Sequence, residues 1–335
     1  MEARGDAMSP AREIGVIGTV VEDTIDRPGE PTVRDMGGAY HSVVAMSVFL
    51  PDDIVAVPIT AVGEDTIARV RADWGGLPRV SLEGVHPVSA INNKVHLEYD
   101  DRGGRKETLA GGVPPLAWAE LEPWVDRVSA WCWNFISGSE VGRETFEKVK
   151  LHATGPLHLD VHNLCFGPPR EGKPREHRPP DDWEGWVEGA TWIQVNEIEA
   201  GLLHDGRAVP LPHDREGALA SRVHALGAEG LLITRGARGA TWLPRGGPAF
   251  EAPAGSEDAI DPTGCGDVFG AVWVALHVAR GMDAEGAVLG AVRAAGAAAT
   301  VSGTATLEAA LERAASEMLG TPRLASQVAG GRIRR

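Results

Sequence analysis

Asp261-Pro262-Thr263-Gly264-Cys265-Gly266-Asp267 is the stretch whose residue types and spacing could do chemistry. Two glycines around one small residue let backbone N–H groups approach a ligand, because no Cβ stands in the way. The apolar run from Val268 to about Arg280 predicts a helix directly after it. Those N–H groups would then lie at a helix N-terminus, where unpaired donors and the helix dipole favour an anion. Asp267 falls in the first turn and faces the same spot. A carboxylate repels a bound phosphate, so simple anion binding has no use for one there. Phosphoryl transfer does, because the carboxylate takes a hydroxyl proton as the phosphate arrives. A glycine-rich turn that only caps a helix is the alternative reading. The P-loop pattern G-x-x-x-x-G-K-[ST] is absent, and Phe269 stands where the dinucleotide pattern G-x-G-x-x-G needs a small residue.

The longer string Asp261 to Gly270, D-P-T-G-C-G-D-V-F-G, resembles the C-terminal D-T-x-G-A-G-D-x-F signature of the ribokinase-like (PfkB) carbohydrate kinases. Pro262 and Cys265 are local departures from it. The resemblance implies transfer of the ATP γ-phosphate to a substrate hydroxyl. Asp267 would be the base, and the amides of Gly264, Cys265 and Gly266 the anion hole. Gly18 and Asp23 match the family's G-x-x-x-x-D spacing, whose Asp grips sugar hydroxyls; taken alone, Asp23 reads equally as a turn residue. Gly37, Gly38 and Ser42 fall on the G-G-x-x-x-N sugar motif, with Ser42 in place of the family Asn and His41 before it.

Asn196 and Glu199 share one face of a helix start and suit either a capping box or water-mediated Mg²⁺ contact. The family's N-x-x-E motif implies the Mg²⁺ role. Thr234, Gly236 and Gly239 resemble the T-x-G of the nucleotide site. The resemblance adds a monovalent cation, K⁺, with Asp261 as its ligand.

These residues need a sheet to bring them together. Apolar runs at Glu13–Gly18, Ile54–Val62, Ala130–Ile136, Leu157–Asp160, Trp192–Val195 and Gly230–Thr234 read as strands, with polar residues at their ends. In an open α/β sheet ligands gather at that edge. Asp65 reads as a helix-start residue. Alternation over residues 91–110 around Asp101-Arg102-Gly103-Gly104 predicts a hairpin. With residues 24–34 it would form the small β lid this family places over its sugar, Asn93 facing the substrate. The expected fold is α/β, a three-layer α/β/α sandwich with a mainly parallel central sheet. One kinase domain spans 13–315, and residues 1–12 and 325–335 are expected to be flexible.

The basic run at 165–182, with Arg175 and Arg178, is a candidate for holding phosphates in an otherwise acidic chain. A net charge of −15 over 335 residues argues against nucleic acid and acidic membranes as partners. Cys132, Cys165 and Cys265 share no metal-ligand spacing, and a reducing cytoplasm is their simplest setting. The substrate would be a sugar or a nucleoside, and a lid edge offers a route to a homodimer. A nucleoside kinase and a non-catalytic sugar sensor are the competing readings; a nucleotide-binding oxidoreductase lacks its N-terminal motif.

Overall fold

The computed structural model describes residues 12–101, 104–255 and 259–320. The segments expected to be flexible lie outside these residues apart from Arg12, as do Arg102 and Gly103 of the hairpin turn. The first seven strands are β1 (Arg12–Ile17), β2 (Val20–Asp26), β3 (Val33–Gly38), β4 (Ile54–Gly63), β5 (Val85–Val88), β6 (Asn93–Tyr99) and β7 (Arg105–Ala110). They are followed by β8 (Val128–Asn134), β9 (Leu157–Asp160), β10 (Trp192–Asn196), β11 (Gly230–Thr234), β12 (Ala240–Pro244) and β13 (Phe250–Ala252).

Nine of them form one sheet, ordered β13-β12-β11-β10-β9-β8-β1-β4-β5. All neighbours are parallel except at the β12 and β13 edge. Parallel strands buried on both faces need continuous apolar sequence, which β4, β8 and β11 have. Helices Ala39–Phe49, Cys265–Trp273, Ala284–Ala299 and Thr304–Leu319 cover one face. Helices Arg143–His152, Glu197–Asp205 and His213–Ala225 cover the other. Fully buried Trp131, Trp133, Phe135 and Phe146 anchor that second layer, Trp133 and Phe146 edge-to-face at 4.8 Å. Burying each such side chain contributes roughly 1.5–3 kcal/mol.

Register brings polar strand ends side by side: Asn134 beside Asp160, Asp160 beside Gln194, and Asn196 beside Thr234. The helix after Gly264 is α-helical to Trp273, and its last turn, Val274–Ala279, widens into a π-helix.

The remaining strands make a second sheet, β3-β2-β6-β7, over this edge. Its inner face carries Val21, Ile25, Val95, Leu97 and Leu109 and packs on Ile136. The lid is larger than expected: its first half uses all of β2 and β3, not only residues 24–34. Asp65 does not start a helix. That helix runs Ile67–Trp74 after Thr66, and Asp65 instead accepts the Asn92 amide at 2.8 Å.

Candidate active site

Between lid and sheet edge lies a cavity of about 380 Å³, the size range of small-molecule sites. The loop before the Cys265–Trp273 helix forms its floor. Gly264 takes φ +77°, and a Cβ there would stand 2.5 Å from the His41 ring. Only glycine meets both conditions. Among the described residues the amides of Gly264, Gly266 and Asp267 have no partner. The Cys265 amide turns back to the Pro262 carbonyl at 3.3 Å, so the expected set of three donors loses Cys265 and gains Asp267. Burial pushes the Cys265 thiol up to about 12, and Sγ points away to the Ala295 carbonyl at 3.4 Å.

Asp267 is 9% exposed and lines the cavity. Its Oδ1 accepts from Asn134 Nδ2 at 2.6 Å, which fixes the carboxylate, and Oδ2 lies 3.8 Å from His41 Nδ1. The backbone of the loop is braced from the sheet. Gln194 Nε2 donates to the Gly266 carbonyl at 3.0 Å and to Asp160 Oδ2 at 2.7 Å. His158 Nε2 donates to Gln194 Oε1 at 3.2 Å, since an amide oxygen only accepts, and burial lowers the pKa of the ring to about 4.

Asn196 and Glu199 line the cavity, yet they are also a complete capping box. Asn196 Oδ1 accepts from the Ile198 and Glu199 amides at 2.9 Å, while Glu199 accepts the Asn196 amide at 2.7 Å and its Nδ2 at 2.6 Å. His162 Nδ1 stands 3.5 Å from Glu199. Burial opposes a charge on His162, but Glu199, Asp160 and Asp267 together raise its pKa to about 10. Burial, then the Glu199 and Asp267 charges, also push Asp160 up, well above the usual carboxylate range, with His162 opposing. Thr234, Gly236 and Gly239 line the far arm with Ala237, Ala254, Val292, Ala295 and Gly296.

At the lid end Asp23 is 6% exposed and faces the cavity. Burial, then the charges of Asp267 and Glu107, raise its pKa from 3.8 to about 8, with Arg105 opposing. A Cβ on Gly37 would fall 1.8 Å from Asp23 Oδ2, so this glycine makes room for the acid and is not itself a cavity wall. Gly38 is a wall residue at φ +62°.

Three further expectations fail here. Ser42 is not among the cavity-lining residues; its hydroxyl donates to the Asp267 carbonyl at 3.3 Å, so it braces the helix start. Asn93 is buried at 6% exposure and accepts the Val113 amide at 3.4 Å, away from the cavity walls. Arg175 and Arg178 do not reach a phosphate position. Arg178 pairs with Asp181 at the surface. Arg175 is a buried clip, with Nη1 3.2 Å from Glu107, Nη2 3.3 Å from the Asn163 carbonyl, and its amide 2.7 Å from the Glu107 carbonyl.

Sequence reasoning named Asp160 without a role, weighed His41 as either a substrate contact or a packing residue, and missed Gln194, Arg105 and Glu107; all five line the cavity. Gln194 had a signal, a polar residue inside an otherwise apolar strand. Arg105 and Glu107 had none, as they share a strand with charged outward residues.

Residues 175–310 match the family model described as "pfkB family carbohydrate kinase". No curated protein matches in sequence. Among solved structures the chain is similar to a ribokinase from Thermotoga maritima, with TM-score 0.68 and 18% identity over 92% of this chain and 100% of the other. It is similar to Arabidopsis thaliana ribokinase complexed with ribose and ATP, with TM-score 0.69 and 18% identity over 91% and 99%. A Burkholderia thailandensis nucleoside kinase in complex with inosine aligns with TM-score 0.66 and 20% identity over 92% and 98%. By its fold throughout, and by the family match over residues 175–310, the chain is ribokinase-like and resembles the pfkB carbohydrate kinases.

Proposed function

We propose that the protein is an ATP-dependent kinase that transfers the γ-phosphate to a hydroxyl of a sugar or sugar-like acceptor. One observation carries the reading: the Asp267 carboxylate and the unpartnered amides of Gly264 and Gly266 face one cavity. One arm of that cavity ends at Asp23 and the other at Thr234, Gly236 and Gly239.

Asp23 receives acceptor hydroxyls, Asp267 takes the proton of the attacking one, and the amides at the helix start stabilise charge on the moving phosphoryl. Positioning and fixed dipoles supply most of the acceleration in such a transfer. The small residues of the far arm accept a flat base, with Thr234, Gly236 and Gly239 beside it.

Both oxygens of Glu199 already hold donors, so Asn196 and Glu199 fit Mg²⁺ only through its water shell. Mg²⁺ arriving with the nucleotide would neutralise phosphate charge there. No described helix is long and apolar enough to cross a membrane. The three cysteines are free, which supports a reducing cytoplasmic setting. A homodimer through the lid would use the β3 edge, since Arg175 meets the β7 edge.

A nucleoside acceptor is the second reading, favoured by the apolar walls Val21, Val95, Leu97 and Ile136 at the acceptor end. The test is ATP consumption over a panel of sugars, polyols and nucleosides, with Asp267→Asn beside the native chain. The substitution is expected to lower kcat by roughly 10²–10⁴ while ATP binding persists. Near-native turnover in a folded Asp267→Asn protein would end the proposal.

A further inference from the structure

Asp261 opens the catalytic loop, and the family resemblance makes it the ligand of a monovalent cation. The structure supplies this carboxylate with a cation of its own. Arg27, in the lid turn between β2 and β3, donates from Nη2 to Asp261 Oδ1 at 2.6 Å. The two side chains are only 14% and 7% exposed. The same Oδ1 accepts the Thr263 amide at 3.0 Å, while among the described residues Oδ2 meets only the Ser302 hydroxyl at 3.5 Å. The Arg27 guanidinium also lies over the Tyr99 ring of β6, 5.0 Å from its centroid, so it is held from the lid side as well.

A cavity of about 30 Å³ adjoins Asp261, bounded also by Asp23, Asp35 and Thr263, with room for one water. An alkali ion placed there would share a single carboxylate with the guanidinium. Two like charges that close, away from bulk water, repel strongly. Asp35 does not compensate, because Arg69 Nη2 already meets its Oδ1 at 3.1 Å, beside the Thr304 amide at 2.5 Å and hydroxyl at 2.7 Å. The residues present therefore do not fit a resident monovalent cation.

We infer that Arg27 takes the place of that cation. Its guanidinium neutralises Asp261, holds the Asp261–Thr263 turn in shape, and so sets the amides that follow it. Because Arg27 belongs to the lid, the charge is in position only while the lid is down. It is a positioning residue, acting through Asp261 and touching no reacting atom. The kinetic part of this inference rests on the phosphotransfer reading; the thermal part does not.

The experiment compares the native chain, Arg27→Ala and Arg27→Lys in KCl, NaCl and tetramethylammonium chloride at equal ionic strength, reading kcat, both KM values and Tm. The native chain is expected to vary by less than about twofold among the salts, with one Tm. Arg27→Ala should lose about 10²-fold in kcat, the usual worth of misplaced anion donors, with little change in either KM. K⁺ or added guanidinium should restore part of that loss, and K⁺ should raise the Tm of Arg27→Ala but not of the native chain. Arg27→Lys should keep most of the native kcat; if Arg27→Ala does not fold, Arg27→Gln, which keeps bulk without the charge, carries the K⁺ comparison in its place. Strong K⁺ activation of the native chain, or an Arg27→Ala protein with native kcat, would overturn the inference. If no acceptor is turned over, the phosphotransfer proposal falls. The K⁺ shift in Tm then decides this inference alone: present only in the variant it stands, absent from the variant it fails.

Discussion

The two arms of the cavity are built by different means. At the Gly264–Asp267 loop and the arm that ends at Thr234, Gly236 and Gly239, the exposed groups are main-chain amides and small residues, set by the starts of two helices and a tight turn. At the lid end they are side chains: Asp23 from β2, His41 from a helix, Arg105 and Glu107 from β7. The first arrangement depends on local backbone shape and tolerates little change. The second depends on the docking of segments far apart in sequence, and substitutions there redistribute charge without dismantling the loop.

After Asp267→Asn, the largest expected effect tests the first arm. Gly264→Ala must place a methyl group against the His41 ring at a positive φ. Steady-state kinetics should show kcat lowered roughly 10²–10³-fold, the scale of a lost anion-hole donor, with the acceptor KM nearly unchanged. A substitution with no effect on kcat would show that the loop does not hold the anion.

The lid end should respond in KM. Above a pH of about 8, where the Asp23 carboxyl is ionised, Asp23→Asn is expected to raise the acceptor KM about 10–100-fold, the worth of hydrogen bonds to a charged group, and to leave the ATP KM alone. The same variant checks the electrostatics. A carboxyl raised from 3.8 to about 8 keeps its proton in the native state while the unfolded chain releases it. Native stability from this group is therefore full below 3.8 and is lost as pH rises to about 8. Asp23→Asn should gain Tm over the native chain progressively across that window, and a constant Tm difference would remove the assignment.

The smallest effect on turnover, with a clear effect on stability, is expected from Arg175→Ala. It leaves Glu107, 4% exposed, without its closest cation. Breaking a buried pair costs about 3–5 kcal/mol, measurable by urea denaturation. The ATP KM should not move, which separates a clip from a phosphate contact.

The difference between the arms also explains what could be read in advance. That Gly264, Gly266 and Asp267, Asn196 with Glu199, and Thr234 with Gly236 and Gly239 would meet at one cavity was legible because backbone conformation and local spacing define these segments. The sheet was legible from its apolar strands. Asp23 was legible only through its fixed distance from Gly18. Asn93 was not. It shares a lid face with Val95 and Leu97, but it lies at the strand end, where the Gly111 and Val113 backbones cover it. Ser42 was misread because a side chain one turn into a helix can reach either the cavity or the neighbouring helix, and the short hydroxyl reaches the helix. The Arg175 clip needed a lid strand and a distant insert in contact, which no local pattern encodes.

The far arm is walled by Ala237, Ala254, Val292, Ala295 and Gly296, residues whose side chains offer no donor or acceptor. Such a slot measures the thickness of a ring and ignores the pattern along its rim. In the proposed kinase, discrimination between purines would then fall to Thr234 and to main-chain groups at the rim, and a broad choice of phosphate donor is the outcome expected of such a wall.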